Sequence, residues 1–424
     1  MNLPLRVGYE GAALLARALA TVAPASGGKV LRSFAARRGV RERYAAFPRR
    51  SGHPLLWMHA PSVGEGLQAR PVLELARTRM PGTQLAYTYF SPSAERFAQA
   101  LDVDFRDVLP FDATSDARAA LAALAPTALV FSKLDVWPTL AREASRRGVR
   151  LGLVSATLAR GSSRRNGIAA TLLRDAYSRL DRVGAISDDD AQRLVDLGVS
   201  AARISVTGDT RYDQVWARAL SARLDSALLA PLRGGRPTLV AGSTWPADER
   251  HLLDAWRDLH ERHPGVRLIV APHEPTPEHI APLEQWCERE SLVSARLGTA
   301  AAAEADVVIV DRLGVLGDLY ALADVAYVGG GFHAAGLHSV LEPAAFGTPV
   351  VFGPRHTGSR DAGLLLGARA AATAQDTTSL EAALEAWLDD PSARRASGDA
   401  AREVVRAGLG AAERSFELVA ALMR

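Results

Sequence analysis

The chain has 424 residues, of which 48% are hydrophobic and 23% charged, with a formal net charge of +3 at pH 7. This length predicts two or three domains with enough apolar material for separate cores. The small net charge argues against a nucleic-acid-binding protein, and the single cysteine, Cys287, excludes an intramolecular disulfide and fits a reducing compartment.

Positive charge is concentrated at the N-terminus. Residues 1–50 contain ten Lys or Arg and two Glu, a net charge of +8, so the rest of the chain carries −5. Leu14, Leu15 and Leu19 repeat at helical spacing, but Arg17 interrupts an apolar run already too short to cross a bilayer. Arginines continue beyond it, unlike in a signal peptide. We predict that residues 1–45 form a basic amphipathic segment on an anionic membrane surface. The alternative is an amphipathic helix packed on its own domain.

From residue 55 the chain alternates short apolar runs with amphipathic segments, a pattern typical of doubly wound parallel sheets. A polar link near 216–236 separates two such series. We therefore expect two Rossmann-like domains facing a central cleft, over 46–215 and 216–395, with a C-terminal helix over 396–424 near their junction. The predicted strands are Leu55–His59, Leu85–Tyr89, Ala128–Phe131, Leu151–Val154, Val183–Ile186, Ile204–Val206, Thr238–Ala241, Leu268–Ala271, Val307–Val310, Val325–Val328 and Val350–Phe352.

Glu65 follows the first predicted strand, on a glycine-flanked loop, with the next helix expected from about Leu67. Ligands of open α/β sheets bind at the carboxyl ends of strands. A carboxylate there is a candidate general base for a hydroxyl nucleophile. The alternative is an acid in the first turn of a helix, where it interacts with the helix dipole.

Polar residues follow several other predicted strands, which together indicate a ligand cleft. His273 and Glu274 also suit a metal, but the sequence has no helical His pair or matched cluster, so we predict no metal site. The absence of a GxSxG elbow, a P-loop and zinc spacing argues against a hydrolase or an NTPase. The polar residues at strand ends are Ser132, Lys133, Thr157, the run Ser162–Arg165, Gly208–Arg211, Ser243, Thr244, Pro272, His273 and Glu274.

The stretch from Ala323 to Pro354 reads as strand, glycine loop, helix and strand. Its three consecutive glycines and the helix predicted over Gly336–Phe346 suggest a phosphate site built from free N–H groups and a helix N-terminus. His338 and Glu342 lie four residues apart and would share a helix face, where the carboxylate can accept hydrogen bonds from two ribose hydroxyls. The alternative is a loop that only turns the chain.

Seven motifs, in this order and spacing, resemble the 3-deoxy-D-manno-octulosonic acid (Kdo) transferases of lipopolysaccharide synthesis. The resemblance extends from the basic N-terminal segment to about residue 370. The motifs are WMHAPSVGEG (57–66), SKLDVWP (132–138), SATLARGSS (155–163), TGDTRYD (207–213), AGSTWPADE (241–249), APHE (271–274) and YVGGGFHAAGLHSVLEPAAFGTPVVFGP (327–354).

The resemblance implies a two-domain GT-B glycosyltransferase at the cytoplasmic face of the bacterial inner membrane. It implies transfer of Kdo, with inversion, from CMP-Kdo to a hydroxyl of a lipid A precursor, with Glu65 as catalytic base and no cofactor. On the acceptor side we place Ser62, Gly64, Lys133, Ser162 and Arg211. At the nucleotide-sugar site we place Ser243, Thr244, Pro272, His273, Glu274, Gly314, Gly330, Gly331, His338, Ser339 and Glu342.

The chain departs from the family pattern at two positions. Val315 stands where many members have Glu, and Ser339 where many have Asn. Two alternatives therefore stay open: a GT-B-like enzyme that processes a UDP-sugar, such as an epimerase, and a degenerate copy that binds nucleotide or membrane without turnover.

Overall fold

The computed structural model describes residues 3–24, 26–159, 161, 162, 164 and 167–424. The chain divides into a first unit, residues 1–214 with 409–424, and a second unit, residues 215–408. Within the described residues, each unit contains one parallel sheet of seven strands with helices between the strands.

The first sheet has the strand order β3-β2-β1-β4-β5-β6-β7. Its strands are β1 (Leu55–His59), β2 (Gln84–Tyr89), β3 (Phe105–Val108), β4 (Ala128–Ser132), β5 (Arg150–Ala156), β6 (Arg182–Ala185) and β7 (Ile204–Val206). Its helices are α1 (Leu3–Val22), α2 (Lys29–Ala35), α3 (Val40–Ala45), α4 (Val63–Arg79), α5 (Glu95–Gln99), α6 (Thr114–Leu124), α7 (Pro138–Arg146), α8 (Gly167–Tyr177), α9 (Asp188–Asp196) and α10 (Arg211–Ser221), which contains the boundary between the units.

The second sheet has the order β10-β11-β9-β8-β12-β13-β14. Its strands are β8 (Thr238–Thr244), β9 (Arg267–Pro272), β10 (Ser294–Arg296), β11 (Val307–Ile309), β12 (Val325–Val328), β13 (Val350–Phe352) and β14 (Ala371–Thr373). The helices are α11 (Pro246–Arg262), α12 (Pro277–Arg289), α13 (Leu316–Leu319), α14 (Leu341–Ala345), α15 (Arg360–Gly367), α16 (Thr377–Asp389) and α17 (Pro391–Ala407), and α18 (Ala411–Met423) returns to the first unit.

The central strands are largely apolar because helices cover both faces of each sheet. Along β8, Leu239 and Ala241 pack into the core on one face, whereas Val240 packs into the core on the other. Successive strand residues point to opposite faces, so each needs an apolar side chain here. All eleven predicted strands are present, and the two-sheet α/β architecture is as expected.

Three predictions about helices were wrong. Helix α4 begins at Val63, so Glu65 lies in its first turn rather than on a loop. The helix expected over Gly336–Phe346 is reduced to Leu341–Ala345. A single C-terminal helix was expected, but the structure has two, α17 and α18. The chain turns between them at Gly410, which has a left-handed φ of 85°. Of these two helices, α18 packs against α4 and β5 of the first unit.

Helix α1 presents its large apolar residues outward. Val7, Leu15 and Val22 are exposed, with relative accessibilities of 62%, 62% and 78%. Its polar residues face the first unit: the Tyr9 hydroxyl donates to Asp112 Oδ2 at 2.9 Å, and Glu10 accepts from the Thr114 amide at 2.8 Å. Helix α1 thus contacts its own unit through these polar side chains, while its large apolar side chains remain exposed. No helix among the described residues is both long and apolar enough to cross a membrane.

Candidate active site

Each sheet has a topological switch point where its strand order reverses, beside the strand that starts the unit. In the first sheet it lies between β1 and β4, and in the second between β8 and β12. Ligands of open α/β sheets bind outside the carboxyl ends of such strand pairs. The segments that leave these four strands are therefore the places to look for a site.

At the first switch point, Ser62 precedes helix α4 and Glu65 occupies the third helical position. The Ser62 hydroxyl donates to Glu65 Oε2 rather than capping the helix backbone. Lys133, which follows β4, places its Nζ 3.0 Å from Glu65 Oε1. The Ser132 hydroxyl donates to the Glu65 carbonyl at 3.1 Å. Two segments distant in sequence thus converge on one carboxylate.

The backbone of Lys133 is held in an unfavourable conformation. Its φ is +68°, in the left-handed region that non-glycine residues rarely adopt. The Lys133 amide donates to the Val154 carbonyl at 2.9 Å, which fixes this conformation against β5. Strained residues of this kind occur preferentially at functional sites. Here the strained backbone carries the ammonium group that contacts Glu65.

Burial raises the pKa of Glu65, but hydrogen bonds from Ser62 and Lys133 and the lysine charge lower it more, so the net shift is downward. The Glu65 side chain is 17% exposed and Lys133 is 41% exposed. Glu65 is therefore ionised at neutral pH and still reachable from solvent. These are the two conditions that a carboxylate base must meet.

The other residues predicted on this side lie on neighbouring loops. Arg211 pairs with Asp209, and Asp209 also accepts from Gln68, one helical turn beyond Glu65 on α4. The Ser162 hydroxyl accepts from the Arg164 amide, and Arg164 binds the Leu134 carbonyl just after Lys133. The structure thus gathers both loops around the segments that carry Glu65 and Lys133. The rest of the Ser162–Arg165 run, residues 163 and 165, lies outside the described residues.

Gly64 and Gly66 serve different purposes at the start of α4. A Cβ at Gly64 would meet only the Ser62 hydroxyl, at 3.8 Å, so space in front of the helix stays open. A Cβ at Gly66 would lie 2.5 Å from the Phe97 ring and 2.7 Å from the Tyr87 hydroxyl. Gly66 is therefore required for packing, whereas Gly64 leaves room beside the carboxylate of Glu65.

His59, the last residue of β1, was not among the predicted site residues. Its Nε2 accepts from Trp137 Nε1 at 3.1 Å, so the neutral ring carries its proton on Nδ1 and donates to Thr88 Oγ1 at 3.0 Å. Burial lowers the pKa of His59 to about 3. The ring therefore stays neutral and positions Trp137, which stacks on Phe90. The sequence signal that could have identified His59 is its position as a histidine at the end of an apolar strand.

At the second switch point, four rings cluster after β8, β9 and β12. Trp245 stacks on His333 with ring centroids 4.4 Å apart, and the His273 ring lies 4.7 Å from Trp245. His273 in turn stacks on His338 at 4.4 Å. Trp245 Nε1 donates to His338 Nε2 at 3.0 Å, and burial lowers the pKa of His338 to about 4. His338 is therefore neutral and belongs to a cluster of stacked rings. The motifs identified His273 and His338 but not the part played by Trp245 and His333.

Asp248 holds the glycine loop in place from beneath. Its buried carboxylate accepts from the amides of Gly330 at 2.8 Å and Phe332 at 3.1 Å, and from the hydroxyl of Tyr327 at 3.1 Å. The Gly329 amide donates to the Gly242 carbonyl. The amides of Gly329, Gly330 and Phe332 therefore donate hydrogen bonds within the protein. For these three amides, the expectation of free N–H groups that bind a phosphate was wrong.

The glycines of this loop are needed because backbone packs on backbone. A Cβ at Gly330, whose φ is +90°, would lie 2.2 Å from the Gly336 carbonyl oxygen. A Cβ at Gly331 would lie 2.4 Å from the Gly353 nitrogen. The close approach that the glycines permit is therefore made by the protein's own chain rather than by a ligand.

His338 and Glu342 do not share a helix face, because His338 lies before α14 and Glu342 is its second residue. Burial raises the pKa of Glu342, Arg218 opposes this rise and Asp318 adds to it. Arg218 pairs with Asp318 at 3.2 Å and donates to the Gly314 carbonyl at 3.1 Å. Arg218 thus connects the predicted residues Gly314 and Glu342, and no pattern in the sequence had singled it out.

The remaining predicted residues occupy this end of the second sheet. Ser243 has a left-handed φ of +54°, and the Thr244 hydroxyl donates to Glu249 at 2.8 Å. Pro272 ends β9 directly before His273, and Ser339 is half-buried beside His338. Glu274 is exposed, and its carbonyl lies 2.6 Å from His279 Nδ1.

One group of possible metal ligands occurs among the described residues, formed by His263, Glu385 and Asp389 with ligand atoms within 4.8 Å of one another. Arg262 already pairs with Glu385. His263 follows the C-terminal end of α11, the helix that begins after β8, so it lies toward the amino ends of the strands. This group is therefore remote from the ring cluster at the carboxyl ends.

Comparison with known proteins shows the family. Residues 38–214 match the family model for 3-deoxy-D-manno-octulosonic-acid transferase (kdotransferase). The 3-deoxy-D-manno-octulosonic acid transferase of Bordetella pertussis is 31% identical, over 85% of this chain and 86% of that one. The chain belongs to the Kdo transferase family. The enzyme of the same name from Haemophilus influenzae is 26% identical over 90% of this chain and 91% of its own. This Kdo transferase is thus a glycosyltransferase of lipopolysaccharide synthesis, as the resemblance implied.

Solved structures support the fold of this Kdo transferase. The UDP-GlcNAc 2-epimerase of Neisseria meningitidis superposes with a TM-score of 0.65 over 87% of this chain and 100% of that one, at 12% identity. A glycosyltransferase from Rickettsia africae gives 0.60 over 88% and 99%, at 11% identity. Identities this low show the fold alone. The two-domain α/β fold of GT-B enzymes is confirmed, and the epimerase alternative gains nothing beyond it.

Proposed function

We propose that the protein transfers Kdo from CMP-Kdo to a hydroxyl of a lipid A precursor, with inversion at the anomeric carbon and Glu65 as general base. The observation that carries this proposal is the Glu65 carboxylate at the first switch point, kept ionised by Ser62 and Lys133. An ionised, accessible carboxylate beside open space at Gly64 suits the removal of a proton from an incoming hydroxyl.

The reaction requires one base and no covalent intermediate. Glu65 takes the proton of the acceptor hydroxyl as that oxygen bonds to the anomeric carbon of Kdo. The bond between this carbon and the phosphate oxygen breaks, and its electron pair leaves with CMP. Attack on the face opposite the leaving group inverts the anomeric configuration. Lys133 positions the carboxylate through its contact with Glu65 Oε1.

The second unit is the proposed donor site. The ring cluster of Trp245, His273, His333 and His338 offers aromatic rings for contact with a nucleotide base, and Glu342 offers a carboxylate for ribose hydroxyls. Because CMP leaves as a phosphate monoester, less charge develops than with a diphosphate leaving group. The Ser339 hydroxyl and the imidazole N–H groups are the donors that we propose for this charge.

We propose that helix α1 lies in the surface layer of the inner membrane, at the cytoplasmic face. Its outward residues are apolar, and its inward contacts, from Tyr9 and Glu10, are polar. A helix that packs on a domain normally buries its apolar stripe instead. The basic segment that follows adds attraction to anionic lipid.

Replacing Leu15 and Leu19 with Ser tests the membrane proposal, because both side chains are exposed. Sedimentation with anionic vesicles should fall by at least ~10-fold, since each buried leucine contributes roughly 1.5–3 kcal/mol. Activity on a detergent-dispersed acceptor should stay unchanged. Full vesicle binding by the double variant would contradict a role of α1 in the membrane.

The function itself is tested with purified protein, CMP-Kdo and a tetraacylated lipid A precursor, followed by mass spectrometry. The proposal predicts a precursor heavier by one or more Kdo units together with release of CMP. Conversion of a UDP-sugar without any lipid acceptor would favour the epimerase alternative. CMP binding without any product would favour the degenerate copy.

A further inference from the structure

Two cavities lie beside the N-terminal helices of the first unit, and they share Arg38 in their walls. The first, of about 360 Å³, is also lined by Arg17, Arg37 and Arg41 together with Glu42 and Asp116. Arg17 and Arg41 pair with Asp116, and Arg37 donates to the carbonyl and the hydroxyl of Ser33. The cations that belong to this cavity alone are therefore already bound by the protein itself.

The second cavity, of about 550 Å³, is the basic cavity, lined on one side by Lys29, Arg32 and Arg38 and on the other by Ser93 and Glu95. Arg38 donates to the Ala23 carbonyl but pairs with no carboxylate in the part of the chain described by the structure. Among the same described residues, the side chains of Lys29 and Arg32 have no hydrogen-bond or ion-pair partner. Three cationic groups against one carboxylate leave the basic cavity positively charged.

The basic cavity borders an apolar surface. Val30 and Leu31, which lie between Lys29 and Arg32 on α2, are exposed, with relative accessibilities of 66% and 40%. A ligand that fits this surface carries a compact anionic group for the cavity and apolar chains for its border. A phosphorylated, acylated sugar has both features, and the volume suits such a head group.

A short stretch of chain connects the basic cavity to the proposed base. The amides of Phe90 and Ser91 donate to the Pro61 carbonyl at 3.0 and 2.9 Å, and Pro61 directly precedes Ser62. Ser93, two residues beyond Ser91, lines the cavity, and the two serine hydroxyls lie 2.8 Å apart. A ligand in the cavity therefore contacts the segment that fixes the hydrogen-bond partner of Glu65.

We propose that the basic cavity binds a phosphate group of the acylated acceptor and thereby holds its reactive hydroxyl toward Glu65. This inference rests on the proposed function and assigns the acceptor-binding part of that site. A phosphate monoester carries a charge of about −1.5 to −2 at neutral pH, which matches the excess positive charge of the cavity. Arg32 and Lys29 are the residues that contact the phosphate, and they determine acceptor selectivity.

The test measures KM and kcat in detergent micelles for a bisphosphorylated acceptor and for the same acceptor after phosphatase has removed one phosphate. Arg32→Gln should raise KM for the bisphosphorylated acceptor roughly 10-fold, and Lys29→Gln with Arg32→Gln roughly 100-fold, because each lost hydrogen bond is charge-assisted. We expect an unchanged kcat, and the double variant should no longer distinguish the two acceptors.

Arg96→Gln is the matched control, because Arg96 is exposed and adjacent to Glu95 but does not line the cavity. It should leave both KM values unchanged. The inference is overturned if Arg32→Gln raises KM equally for the two acceptors, because the cavity then does not bind the phosphate. It is also overturned if Arg96→Gln raises KM as strongly as Arg32→Gln. A wild-type protein that transfers no Kdo to either acceptor would instead refute the proposed function.

A second measurement separates the acceptor from bulk lipid. Phosphatidylglycerol vesicles without acceptor should bind wild type and Arg32→Gln within about 5-fold of each other, since a single surface charge contributes only about 1 kcal/mol. If Arg32→Gln abolishes vesicle binding while Arg96→Gln does not, the cavity binds phospholipid headgroups in general, and the assignment to the acceptor is wrong.

Discussion

The two switch points hold their carboxylates in opposite ways. Glu65 in the first unit receives its hydrogen bonds from side chains, Ser62 and Lys133, and remains 17% exposed. Asp248 in the second unit is fully buried and accepts from the backbone of the glycine loop. Side chains can move aside when a substrate arrives, but a backbone loop held by its carboxylate cannot. Under the proposed function the first carboxylate has a chemical role and the second an architectural one, and their hydrogen-bond partners differ accordingly.

The side chains that surround the two carboxylates also differ in chemical character. The first is ionic, with an ammonium group 3.0 Å from a carboxylate. The second presents stacked rings, of which His338 is kept neutral by burial. An ionic site suits proton transfer, and aromatic rings suit the stacking of a nucleotide base. Each of the following substitutions alters one of these two sites and leaves the other unchanged.

Glu65→Gln should have the largest effect. The amide keeps the size of the side chain but cannot take a proton, so transfer should fall by about 10²–10⁴-fold. CMP affinity, measured by calorimetry, should stay at the wild-type value because the second unit is untouched. A variant that transfers Kdo at a near wild-type rate would show that Glu65 only interacts with its helix.

Asp248→Ala should destabilise the second unit, because it leaves the donors of Gly330, Phe332 and Tyr327 without their acceptor. The loss of unfolding free energy should be about 3–5 kcal/mol, followed by chemical denaturation. Asp254→Ala, at an exposed position on the same helix, is the control and should change stability little. Equal stabilities of the two variants would show that Asp248 does not stabilise the second unit through the glycine loop.

Glu342→Ala should weaken CMP binding by about 1–3 kcal/mol, if a charged hydrogen bond to the ribose is lost. The burial of Glu342 raises its pKa, so wild-type affinity should decline as the pH falls and the carboxylate gains a proton. Calorimetry across a pH series measures both effects. A folded variant with unchanged affinity would place the ribose elsewhere.

Lys133→Met should have the smallest effect on the rate at pH 7, less than about 10-fold, because Glu65 remains largely ionised there. Its consequence lies in the pH profile. Loss of the lysine charge raises the pKa of Glu65, so the acid limb of kcat/KM should move to higher pH, whereas Lys133→Arg should leave it in place. Identical profiles for wild type and Lys133→Met would exclude this coupling.

The same depressed pKa has a consequence for stability. A carboxyl group with a lower pKa in the folded than in the unfolded state stabilises the fold above its unfolded pKa. That contribution disappears as the pH falls through the folded value. Glu65 should therefore stabilise the first unit at neutral pH, and acid should remove the stabilisation.

The sequence predicted the central strands of the two described sheets but, of their edge strands, only β7. The strands that it missed, β3, β10 and β14, all lie at an edge. Residues such as Arg106 and Asp107 in β3 interrupt any apolar run, because an edge strand is covered less completely than a central one. Hydrophobic periodicity therefore carries less information at the edges.

The sequence by itself determined the family, the two-sheet architecture and the location of Glu65 after the first strand, because these follow from motif order and from apolar runs along the chain. Only the tertiary structure decided what surrounds each group. It brought Lys133 to Glu65 across 68 residues, occupied the glycine-loop amides with Asp248 and turned the leucines of α1 outward. These contacts join residues far apart in sequence, and no local pattern encodes which distant side chain will fill the space beside a strand end.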